Sequence, residues 1–83
     1  GGAVSPEVEA ARAILRRIKK GDLPRDGFKS WDVWRPNWSG LSDRDLVSAA
    51  LAYLVDMGWL HERREPTAGR PSTTYTLNGR AKL

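Results

Sequence analysis

The stretch GWLHERREPTAGRPSTTYTL, Gly58 to Leu77, decides the fold. Gly58 reads as a helix stop. Trp59, Leu60 and His61 open a strand, and Ser72 to Leu77 supply the β-branched and aromatic residues of a second one. Between them Pro66, Gly69 and Pro71 forbid regular pairing and force a turn, with Arg70 at its tip. The expected product is a two-stranded ribbon that follows directly on a helix.

That helix is predicted to start at Ser42, with Asp45 three residues later in the position of a capping-box acid. Val47, Ala50, Leu51 and Leu54 form its inward stripe, flanked by Leu46, Tyr53 and Met57. Arg44, Ser48, Ala49, Ala52 and Asp56 face outward. A first helix is framed by Ser5 as N-cap, Pro6 at the first helical position and Gly21 as the left-handed terminator. Its expected buried stripe is Val8, Ala11, Leu15 and Ile18. The segment 22–27 is read as a polar loop, and Phe28-Lys29 as a short extended piece pairing with the ribbon. Ser30 is expected to cap a brief helix, Trp31 to Arg35, which Pro36 ends. Residues 37–41 then make the turn of a helix-turn-helix, Gly40 being free to take a positive φ. The order α-β-α-α-β-β is that of an α+β winged helix-turn-helix, three helices with a small antiparallel sheet.

Eighty-three residues make a single domain spanning 1–83, with 1–4 read as a tag or linker and 79–83 as a frayed tail. The missing initiator Met points to a piece of a larger protein, and no signal peptide is recognised. The chain has no Cys, which excludes disulfides and thiolate zinc sites. Its longest apolar run, Ala49 to Val55, is too short to cross a bilayer, so no membrane partner is expected. Fourteen basic against ten acidic residues favour a polyanionic partner. Arg12, Arg16, Arg17, Lys19 and Lys20 crowd the first helix, and Arg63, Arg64 and Arg70 crowd the ribbon.

Catalysis is poorly provided for. There is one His, no Cys and no Gly-rich phosphate loop, so an enzyme, a cofactor, a metal and a small-molecule substrate are all unexpected. Asp43 and Asp45 stand two apart on a helix, do not share a face, and read as acids offsetting the dipole. The ribbon is richer. Gly69-Arg70-Pro71 is the core of a minor-groove hook, although Ala68 stands where such hooks carry another Arg, and the alternative is hairpin punctuation around a solvated Arg70. Arg63 and Arg64 alternate faces, so one of them points toward a given surface. Lys29, in the extended piece beside the ribbon, completes that cationic set. On the helix, Arg44 and Ser48 are within reach of a groove, the alternative being a solvated helix face, while Ser42 and the helix N-terminus offer backbone donors to one phosphate. Asp43 and Asp45 repel phosphates, which favours backbone or shape recognition over base reading. Trp59 is expected to fill core, Trp31 and Trp34 to be core or half-buried, and Trp38 to pack or to offer a stacking surface. The basic run of the first helix, Arg16, Arg17, Lys19 and Lys20, reads as a solvated C-terminal face, the alternative being a phosphate contact.

Several motifs carry a family resemblance: Phe28-Lys29-Ser30-Trp31-Asp32-Val33-Trp34-Arg35, Trp38-Ser39-Gly40-Leu41, Gly58-Trp59-Leu60, and Gly69-Arg70-Pro71-Ser72 with Tyr75 and Asn78. Together they resemble the C-terminal winged-helix tails of primase/helicase-like replication proteins carried by phages, plasmids and integrated elements. The likeness covers about residues 10–78. It implies a double-stranded DNA-binding appendage acting in cis with a parent replication protein. The alternative is a winged helix that docks onto that parent ATPase or another replisome component.

Overall fold

The computed structural model describes residues 5–66, 69 and 72–81. Within them the order is helix α1 (Pro6–Lys20), helix α2 (Ser30–Trp34), helix α3 (Arg44–Asp56), strand β1 (Leu60–Glu65) and strand β2 (Ser72–Leu77). This is a small α+β domain of three helices and a two-stranded antiparallel sheet. The expected tag or linker at 1–4, residues 82–83 and Arg70 lie outside the described residues.

Local chemistry sets the helix ends. Ser5 Oγ accepts from Val8 N at 3.3 Å, Pro6 sits in the first turn, and Gly21 stops α1 at φ 90°, donating to the Ile18 carbonyl. The buried line of α1 is Ala10, Ala11, Ile14 and Ile18, which corrects the expected stripe. Val8 and Leu15 are only half-buried, because the face pressed on α3 is centred on Ile14. The loop after α1 is less polar than expected, since Leu23 is buried. Backbone bonds from Asp22 N and Leu23 N to the Arg17 carbonyl fold it back over the helix end.

Helix α2 starts one residue earlier than Ser30 as a cap implies. Asp32 Oδ2 accepts from Lys29 N at 2.9 Å, so Lys29 is the cap and Ser30 is helical. Helix α3 starts later than Ser42. Asp43 is its N-cap, its Oδ1 accepting from Asp45 N at 2.9 Å and Leu46 N at 3.3 Å. Both Ser and Asp are good caps, and the carboxylate brings charge to the positive end of the dipole as well. The inward stripe Val47, Ala50, Leu51 and Leu54 is buried as expected. The turn between α2 and α3 takes two left-handed residues, Gly40 at φ 79° and Asn37 at φ 60°.

The core gathers Ile14 and Ile18 of α1, Val33 of α2, the α3 stripe, Leu60 of β1, and Leu23, Phe28 and Leu41 from the connections. Trp59 is half-buried at its edge, so Leu60 takes the central place expected of the tryptophan.

In the sheet Leu60 pairs with Leu77 and Glu65 with Ser72. The expected third strand is a single bridge. Phe28 and Tyr75 exchange backbone bonds of 2.9 and 2.8 Å, but the next amide, Lys29 N, is taken by Asp32 and the chain turns into α2. Gly27 is required just before the bridge: it has φ 155°, and a Cβ there would lie 3.1 Å from Thr74 Cγ2. Past the end of β2 the chain is tied back to the segment between α3 and β1. Asn78 Nδ2 donates to the Gly58 carbonyl at 2.8 Å, Asn78 N donates to the Trp59 carbonyl, and Arg80 N donates to Asn78 Oδ1.

Candidate nucleic-acid interface

Of the cationic residues singled out above for a duplex contact, Arg63 and Arg64 lie on the β1–β2 ribbon, Lys29 caps α2 beside it, and Arg44 opens α3. Strand β1 leaves the core abruptly: Leu60 is buried, whereas His61, Glu62, Arg63 and Arg64 are all exposed. A strand covered on one face would alternate, so the outer ribbon is open to solvent on both faces along β1.

Directly opposed residues share a face in an antiparallel pair. Glu62 opposes Tyr75 and Arg64 opposes Thr73, on the same face as the Leu60–Leu77 pair. Arg63 opposes Thr74, and Glu65 opposes Ser72, on the other face. Lys29 Nζ donates to Ser72 Oγ at 3.2 Å and also to Thr74 Oγ1. Lys29 and Arg63 therefore flank the same β2 hydroxyls, while Arg64 stands on the reverse face beside Tyr75. An ammonium has three N–H donors, so Lys29 keeps one after these two bonds.

Tyr75 stacks on Phe28, with ring centroids 6.0 Å apart. Burial in this joint raises the phenol above its ordinary pKa of 10.0. The Glu62 carboxylate on the same face adds to the rise and Arg64 opposes it. Tyr75 thus stays a neutral phenol at the root of a charged arm.

At α3, Arg44 and Ser48 are exposed one turn apart and so share a face. The Arg44 guanidinium carbon lies 5.3 Å from the centroid of the Trp34 ring, a cation–π contact that lays the side chain back over α2. Ser42 is exposed but precedes the cap. Because Asp43 already accepts the Asp45 and Leu46 amides, the expected phosphate seat on a Ser42-capped N-terminus is corrected: a carboxylate occupies it.

The tryptophans also differ from expectation in part. Trp31 is 37% exposed, and Trp34 is half-buried beneath Arg44. Trp38 is half-buried, with the Arg17 guanidinium 4.5 Å from its ring centroid. One face of Trp38 is therefore already covered by a cation. Arg17 is held there by a 2.9 Å ion pair with Asp22, the one salt bridge among the described residues.

Gly69 lies at the ribbon tip with φ 105°, as the turn chemistry required, and is exposed. The expected contact by Arg70 falls outside the described residues. His61 opposes Thr76 and is exposed, and no group of three His, Cys, Asp or Glu converges on a metal position among the described residues. No helix among them is long and apolar enough to cross a membrane.

Sequence reasoning missed the Asp43 cap, the Arg17–Trp38 stack and the double hydroxyl contact of Lys29. The first had a visible signal, because Asp43 places Leu46 at the third helical position as well as Ser42 places Asp45. The other two join residues 21 and 43 or more positions apart, which no local pattern reports.

No protein-family model, curated protein or solved structure matches the chain.

Proposed function

We propose that this domain is a winged helix-turn-helix module that grips duplex DNA through its phosphates. It would use the β1–β2 ribbon as the wing and the first turn of α3 as the second contact. One observation carries the reading: the ribbon leaves the core with Arg63 and Arg64 exposed on its two faces, and the helix before it bears Arg44 and Ser48 exposed one turn apart at its start. A two-faced arm with guanidinia is suited to lie along a phosphate backbone, and the net charge of +4 supports a polyanionic partner. Lys29 and the hydroxyls of Ser72 and Thr74 add donors on the Arg63 face. The acids Asp43 and Asp45 at the start of α3 favour backbone recognition over base reading.

The motif likeness set out above supports a place on a primase/helicase-like replication protein of a mobile element, in the cytoplasm, tethering its parent to double-stranded DNA. The test is a titration of labelled duplex at several salt concentrations. Binding should weaken as salt rises, by about 0.9 in log–log slope per phosphate contact. Affinity that is absent, or insensitive to salt, sinks the proposal.

A second reading is favoured by Met57, 57% exposed, and Trp31, 37% exposed. Large apolar side chains left in water suit docking onto a parent ATPase. In that case the parent protein, and not DNA, shifts the resonances of these two residues.

A further inference from the structure

The outer side of α1 and the turn at 39–40 border an open groove of about 710 Å3. Arg12, Arg16, Arg17, Lys19 and Lys20 line it against a single carboxylate, Glu9. Ser39, Gly40 and Leu46 form the opposing wall. Arg17 is committed to Asp22 and Trp38. The other four cations have no carboxylate partner among the described residues. Arg12, Arg16 and Lys20 recur every four residues, so they stand on one face, about 6 Å apart along the axis.

This concentration of like charge has no use in the duplex contact proposed above. Leu46 lines the groove and Arg44 precedes it by two residues, which is about 200° around α3. The groove therefore opens on the far side of that helical turn from Arg44.

We infer that the groove binds one strand of nucleic acid through its phosphodiester backbone. Like charges held together in a concave site focus positive potential, and single strands track such grooves. A groove walled by a helix and a turn admits a single chain more readily than a duplex cylinder. Gly40 keeps the second wall low, since a Cβ there would meet nothing within 4 Å. An anionic bilayer suits the site less well, because the apolar face of α1, Ala11, Ile14 and Ile18, is buried in the core and has nothing to insert.

The inference is independent of the ribbon contact and is tested beside it. A labelled oligothymidine strand, a labelled duplex and vesicles rich in anionic lipid are each titrated with the intact domain at several salt concentrations. R16A/K20A alters two exposed side chains that make no side-chain hydrogen bond or ion pair among the described residues, so folding should persist and far-ultraviolet circular dichroism checks it. Single-strand binding by the variant should weaken severalfold, with the salt slope falling by about 1.4. Duplex binding should stay unchanged. Unaltered single-strand affinity in R16A/K20A overturns the inference, as does binding to vesicles but not to oligothymidine. R63A/R64A serves as the converse variant: loss of duplex binding alone separates the two surfaces. Loss of single-strand binding in R63A/R64A, with R16A/K20A unaffected, places the strand on the ribbon and overturns the groove.

Discussion

Phe28 and Tyr75 are joined twice, by reciprocal backbone bonds of 2.9 and 2.8 Å and by rings stacked 6.0 Å apart. Phe28 is 2% exposed, and the loop before α2 is tied to the ribbon further by Leu77 N, which donates to the Arg25 carbonyl at 3.0 Å. Phe28→Ala should therefore cost about 3–5 kcal/mol, the range for emptying a buried aromatic site. Urea unfolding monitored by tryptophan fluorescence measures it; a loss under about 1 kcal/mol would show that the joint adds little.

The raised phenol of Tyr75 makes a prediction about alkaline pH. Between the ordinary value of 10.0 and the higher native one, the unfolded chain has already released a proton that the folded chain retains. Stability from this group is thus complete below pH 10.0 and is lost as pH rises through the native value. Tyr75→Phe should flatten the alkaline limb of a stability–pH curve. Glu62→Gln should lower the native titration point, followed by phenolate absorbance, by removing the second cause of the shift.

Arg17 is held by a ring and a carboxylate together. Arg17→Ala should cost about 1–2 kcal/mol, summing a modest cation–π contact and a half-exposed ion pair. Arg17→Lys should restore under half of that, because an ammonium does not stack flat on an indole. Equal stability of Arg17→Lys and the parent domain would count against the stacking geometry.

The start of α3 separates two neighbouring candidates. Asp43→Ala should lose about 1 kcal/mol, while Asp43→Ser should retain most of the cap. Ser42→Ala should be silent, since its hydroxyl caps nothing in α3. Thermal melts of the three variants decide this, and a costly Ser42→Ala would return the cap to Ser42.

Because Arg63 and Arg64 stand on opposite faces, a duplex laid against one face meets one of them. Lys29 shares the Arg63 face, so Arg63→Ala should lower the salt slope of duplex binding by about 0.9 and Arg64→Ala should leave it near its starting value. Equal effects would mean that the ribbon enters a groove edge-on.

What the sequence made legible was whatever rests on local rules. Ser5, Pro6 and Gly21 bound α1, the 47-50-51-54 spacing marks the inner side of α3, and strand β2 runs over Ser72–Leu77 as its composition predicts. Errors arose where two residues satisfied one rule equally, as with Ser42 and Asp43, or where a burial stripe is broad enough to be drawn one residue off, as in α1. Leu23 was hidden by polar neighbours. Trp59, expected to fill core after Gly58, packs only at its edge, and the first residue of β1, Leu60, takes the buried position. At the candidate interface the residue types were legible, but their grouping was not. The pairing of Lys29 with Arg63 on one face depends on a sheet register that only the fold supplies.

Asn78 also has a mechanical meaning. Its side chain and amide grip the Gly58 and Trp59 carbonyls, tying the end of β2 to the segment that joins α3 to β1. Both strands of the arginine-bearing arm are thereby anchored at one point beside the end of α3, which fixes where the arm departs from the helix.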